Sequence, residues 1–144
     1  MPLLITPTAN ITHSNKLRGM YGHRVSKVIV GDGNCMFRAM SFHLYNTQDR
    51  HMTVRSKAVH YLRQHPETLN FDVDSNYLTI MEKEGTWGDE IMLQAIAAVY
   101  NISIFVYSAS SSQQRYSVTY PHSAPGPHYG LFFFQAHQHY EVLF

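Results

Sequence analysis

The sequence predicts a single α+β domain in which a small mixed β-sheet is flanked by helices. Three observations predict it. Two stretches repeat at helical spacing: Phe37, Met40, Ser41 and Leu44 in one, and Met92, Leu93, Ile96, Ala97 and Tyr100 in the other. Short runs rich in β-branched and aromatic residues, with 102–107 the clearest, follow or precede these helical stretches. The chain has 144 residues, 44% of them hydrophobic, which is enough for one core and too little for two.

Taken in order, residues 1–22 contain Pro2, Pro7 and Gly19 without a sustained period and read as an arm packed on the domain formed by 23–144. Residues 24–30 read as a strand, and 35–45 as the first helix. A second helix is expected over about 49–64, where Val54, Ala58, Tyr61 and Leu62 share a face and Pro66 closes the segment. A short helix around Tyr77, Leu78, Ile80 and Met81 should end at Gly85, and Thr86 or Gly88 should start the helix that carries Met92 to Tyr100. Strands are expected over 102–107, 116–120, 130–135 and 140–144. A serine and glutamine tract at 108–114 and a proline-rich connection at 121–128 lie between them. No internal repeat is present.

Composition narrows the function. Eleven basic and ten acidic residues give a formal charge of +1, with no long run of either sign, which argues against nucleic acid as a partner. A single cysteine rules out an internal disulfide framework, and no CxxC pair proposes a structural zinc site. There is no long apolar run, and the Leu3, Leu4 and Ile5 segment is too short for a signal sequence. The expectation is a soluble intracellular protein, cytoplasmic, monomeric, and without membrane contact.

The chemistry centres on Gly31-Asp32-Gly33-Asn34-Cys35. The glycines permit turn geometry, and Asn34 is a preferred helix N-cap, so Cys35 should open the helix. At that position the first amide N–H groups lack internal partners and the macrodipole favours a thiolate. A lone cysteine is commonly a small buried hydrophobe. Here the order of strand, tight turn, cysteine and helix is one used to present a nucleophile at the lip of a sheet.

The run Asp32-Gly33-Asn34-Cys35, continuing into Met36-Phe37-Arg38-Ala39, resembles the nucleophile motif of the OTU (ovarian tumour) cysteine proteases, a family of deubiquitinating enzymes. The block from Trp87 to Leu93 resembles the family's tryptophan block, and that from His139 to Leu143 its histidine block, in family order. The resemblance implies an OTU-like, papain-like domain with a mainly antiparallel sheet and no cofactor. It also implies an isopeptidase that cleaves after the C-terminal glycine of ubiquitin or a ubiquitin-like modifier through an acyl-enzyme on Cys35. By the same resemblance His139 is the general base and Asp32 belongs to the catalytic constellation.

A cysteine hydrolase needs an imidazole to take and return the proton, and a third group to hold that imidazole. Of the ten histidines, His43, His51, His60 and His65 lie on or beside expected helices and read as surface or boundary residues, while His137 competes with His139 in the same loop. Glu141, two residues past His139, would share its strand face and is a second candidate orienter beside Asp32. Gly33 and Asn34 would form the oxyanion loop. Trp87 is either a core anchor or a wall of the channel that admits a diglycine tail by shape. A non-cleaving ubiquitin-binding domain and a hydrolase of other amides are the alternatives. A metal site of Cys35, His137 and His139 lacks a fourth ligand.

Overall fold

A computed structural model describes residues 25–27, 29–65, 67, 74–109, 116–120, 127–134 and 139–143. Strand β1 (Val25–Lys27) precedes helix α1 (Cys35–Tyr45), and a 3-10 turn (Gln48–Arg50) runs into α2 (His51–Gln64). Helices α3 (Ser75–Met81) and α4 (Glu90–Tyr100) follow, then β2 (Ser103–Ala109), β3 (Tyr116–Tyr120), β4 (His128–Phe134) and β5 (His139–Leu143). The sheet has the order β1-β5-β4-β2-β3. Among the described residues only β2 and β4 pair in parallel, and the other three pairings are antiparallel, so the mixed, mainly antiparallel sheet is as expected. The arm at 1–22, His137, and the loops at 110–115 and 121–126 lie outside the described residues.

The apolar stripes do the packing. In α2, Val54, Ala58 and Leu62 are fully buried, and the helix lies against both α1 and α4. Met92, Leu93 and Ile96 of α4 join the same core, which Ile104, Leu131 and Val142 continue into the sheet. Helix α1 packs on β5, and Cys35 at the start of the helix interacts with His139 at the start of the strand. Two left-handed asparagines, Asn46 at φ 62° and Asn101 at φ 58°, end α1 and α4, a conformation asparagine tolerates better than most side chains.

Several boundaries differ from the sequence reading for identifiable reasons. Helix α4 is capped by Asp89 rather than Thr86 or Gly88, because the Asp89 carboxylate accepts the Met92 N–H at 3.1 Å and also binds the Tyr77 hydroxyl, tying α3 to α4. Gly85, at φ 87°, turns the chain four residues after α3 has ended at Met81. His60 and His65 are exposed, but His51 is buried, and His43 donates from Nε2 to the Gly130 carbonyl at 2.7 Å. Their places on inward-facing helix positions outweigh the usual preference of histidine for the surface. Among the described residues no helix is long and apolar enough to cross a membrane.

Ile96 has no solvent exposure at the α4 contact. Ile96→Ala is expected to lower stability by about 2–5 kcal/mol with an unchanged denaturant slope, measured by urea unfolding.

Candidate active site

The turn before α1 is held from several directions. Gly33 sits at φ 86°, and a methyl group placed on it would collide with the carbonyl oxygen of Gly85. Asp32 Oδ1 accepts the Asn34 backbone N–H at 3.1 Å, and the same carboxylate forms an ion pair with Arg38 at 2.7 Å. Burial alone would raise the Asp32 pKa, but the bonds from Arg38 and Asn34 outweigh it and bring the carboxyl down to about 2. Asn34 occupies the N-cap position without a side-chain capping bond. Its amide oxygen instead accepts from the Gly85 N–H at 2.7 Å and from Arg55 at 2.8 Å. Cys35 is the first residue of α1, 3% exposed, and carries a free thiol.

β5 brings the imidazole to this point. His139 and Glu141 alternate onto one face of the strand, and His139 Nε2 meets Glu141 Oε2 at 2.8 Å, both side chains being buried. The same oxygen accepts the Ile29 N–H at 3.1 Å, while Oε1 has no partner among the described residues. With Nε2 taken by Glu141, Nδ1 is the ring nitrogen left available to the Cys35 side chain, with which His139 interacts. Burial on its own pulls the His139 pKa below 6.5, but the bonds to Cys35 and Glu141, together with their charges, overcome it and raise it to about 9.

Cys35, His139 and Glu141 are therefore brought together, with Glu141 in contact with the imidazole. The Asp32 carboxylate is engaged by Arg38 and the Asn34 amide. Trp87 is 38% exposed, so it is not a core anchor. Its indole stands 5.9 Å from the Tyr140 ring and 6.0 Å from Phe133, and those two rings are 4.8 Å apart. On either side of Trp87, Gly85 lies against Gly33 and Gly88 against Met36, so the indole lies between the nucleophile turn and the strand of His139. No cluster of three or more metal-ligating side chains occurs among the described residues.

Sequence reasoning passed over one residue of this region. Arg55 has no solvent exposure, and it reaches Asn34, Met81 and Thr86. The available signal was an arginine on the inward face of α2, flanked by Val54 and by Ala58 and Val59.

A cysteine at a helix start, facing an imidazole on an adjacent strand with a carboxylate behind it, is the arrangement of a thiol hydrolase. A family model described as OTU-like cysteine protease matches residues 30–140, and the chain belongs to that family. It is 33% identical over 128 residues to OVARIAN TUMOR DOMAIN-containing deubiquitinating enzyme 9 of Arabidopsis thaliana, covering 87% of this chain and 36% of the relative. It is 42% identical over 84 residues to deubiquitinating enzyme 10 of the same plant, covering 56% of this chain and 24% of the relative. The chain thus spans well under half the length of these relatives. Among solved structures it resembles the OTUD1 OTU domain at a TM-score of 0.81 and 21% identity, with 95% of both chains covered. It also resembles an OTU domain in complex with ubiquitin at 0.69 and 17% identity, with 84% of this chain and 69% of that one covered. These likenesses establish the papain-like OTU fold.

The raised imidazole pKa gives a signed expectation. The stability contributed by the His139 contacts is fully present below its unfolded value of 6.5 and is lost as pH rises through about 9. An NMR titration of the His139 ring is expected to show a midpoint near 9, moving toward 6.5 in Glu141→Gln.

Proposed function

We propose that the chain is a ubiquitin-directed thiol isopeptidase. The observation that carries this reading is the contact of His139 with both Cys35 and Glu141 in a chain of the OTU family. Deubiquitinating relatives aligned with as much as 87% of the chain, and the similar fold solved with ubiquitin, support the choice of substrate.

In this mechanism the proton of Cys35 is held on His139 Nδ1, as the raised imidazole pKa favours, and the thiolate attacks the carbonyl carbon of the terminal glycine of ubiquitin. The developing oxyanion faces the turn formed by Gly33, Asn34 and Cys35. The Asn34 N–H is already spent on Asp32, so the Cys35 N–H, which has no partner within its helix, and the Gly33 N–H are the donors. Collapse of the tetrahedral intermediate breaks the C–N bond, and the imidazolium returns its proton to the leaving lysine amine. Water, deprotonated by His139, then releases the glycine carboxylate and restores the thiol.

Glu141 is the orienter of His139 in this scheme, since it binds Nε2 and leaves Nδ1 facing sulfur. Asp32 shapes the turn through Arg38 and the Asn34 amide. Trp87, with Phe133 and Tyr140, forms an aromatic wall that a diglycine tail can pass and a bulkier side chain cannot. The free thiol of Cys35 has to stay reduced to act, which supports a reducing compartment such as the cytoplasm.

Ubiquitin bearing a C-terminal thiol-reactive warhead is expected to label the wild-type chain and not Cys35→Ala, with His139→Ala labelled far more slowly. An unlabelled wild type would refute the reading. Glu141→Gln is expected to lower kcat by more than about tenfold, and Asp32→Asn by less, in steady-state cleavage of a ubiquitin amide. Trp87→Ala is expected to raise KM for the same substrate by about tenfold while kcat changes little.

A further inference from the structure

Arg55 is a buried cation that the reaction scheme leaves unused. Among the described residues no carboxylate forms an ion pair with it. Its guanidinium lies 4.1 Å over the Phe37 ring, and its Nε–H meets no partner among the described residues. Nη1 donates to the Met81 carbonyl at 2.8 Å, and Nη2 donates to the Thr86 carbonyl and to Asn34 Oδ1, each at 2.8 Å. Burial draws its pKa down from 12.5 to about 10, partly countered by the charges of Glu84 and Asp32, so it stays charged at neutral pH. Holding a charge in the core without a contact ion pair is costly, and a planar fork that joins three separate segments is a use for which lysine is a poor substitute.

The segments it joins are specific. One is Asn34, the residue before Cys35, and the other two bound the 81–86 loop that leads into Trp87. By taking Asn34 Oδ1, Arg55 and the Gly85 N–H keep the asparagine from capping α1. A capping side chain would occupy the second or third N–H of the helix and tilt the turn toward its own axis.

We propose that Arg55 is a positioning residue that acts through Asn34: it withholds the asparagine from the helix cap and fixes the Gly33 and Cys35 amides where the oxyanion forms. This rests on the thiol isopeptidase reading. Arg55 itself touches neither the sulfur nor the imidazole, so its effect belongs to acylation of the carbonyl and not to the reactivity of the thiol.

The test compares Asn34→Ala, Asn34→Asp and Arg55→Lys with wild type in three assays: cleavage of a ubiquitin C-terminal amide, inhibition by ubiquitin C-terminal aldehyde, and alkylation of Cys35 by iodoacetamide. Alkylation forms no oxyanion. Asn34→Ala and Arg55→Lys are expected to lower kcat by about 30- to 100-fold with KM within about threefold, and to weaken aldehyde inhibition in parallel. Cys35 alkylation should stay within about threefold of wild type, and Asn34→Asp, which keeps the acceptor oxygen, should regain at least about tenfold of the kcat lost in Asn34→Ala. The proposal is overturned if Asn34→Ala keeps its kcat, if alkylation falls together with turnover, or if near-UV circular dichroism shows that all three variants fail to fold. A wild type that does not cleave the ubiquitin amide would instead refute the isopeptidase reading, whereas a cleaving wild type with an equally active Asn34→Ala refutes only the role of Arg55.

Discussion

One carboxylate oxygen, Oε2 of Glu141, sits at the junction on which the site depends. It accepts from His139 Nε2 and from the Ile29 backbone N–H, so a single buried atom fixes both the imidazole and the chain that runs into the nucleophile turn. The antiparallel pairing of β1 with β5 makes this reach possible, because it lays the segment after Lys27 alongside the beginning of β5. Packing of α1 on that same strand then sets the cysteine against the ring. A buried carboxylate is stabilised by its hydrogen bonds, and here one of its two bonding partners is the group whose tautomer it selects.

The turn itself is tied at both flanks of its sharpest point. Asp32 is held by Arg38 from α1, and Asn34 by Arg55 from α2, while Gly33 between them passes close under the Gly85 carbonyl. Each tie uses a charged or amide group to fix backbone, and in the proposed mechanism this leaves the helix-start amides to face the developing oxyanion. The loop that receives two of the Arg55 bonds leads into Trp87, so the same guanidinium touches both the nucleophile turn and the loop before the aromatic cluster.

Much of this was legible in the sequence because it follows from local rules. The bounds of α1, the strand at 116–120 and the shared face of His139 and Glu141 come from spacing alone. The three blocks of family resemblance pointed to the right fold. What was not legible depends on tertiary partners. Asn34 reads as a helix cap until a distant arginine and the Gly85 amide claim its side chain. By resemblance Asp32 is favoured over Glu141 as the partner of the imidazole, and only the tertiary structure sets Glu141 against His139 Nε2 and Arg38, one helical turn into α1, against Asp32. Arg55 stands out only by its apolar neighbours in α2, since its partners Asn34, Met81 and Thr86 come from distant segments.

The central claim is a covalent one: the substrate acyl group is carried on sulfur between bond cleavage and release. Acid-quenched turnover of a ubiquitin C-terminal amide, read by intact-protein mass spectrometry, tests it most directly. The account predicts a transient ubiquitin adduct that is cleaved by hydroxylamine and maps to Cys35. Product formation with no such adduct at any quench time, or undiminished turnover in Cys35→Ala, would contradict it.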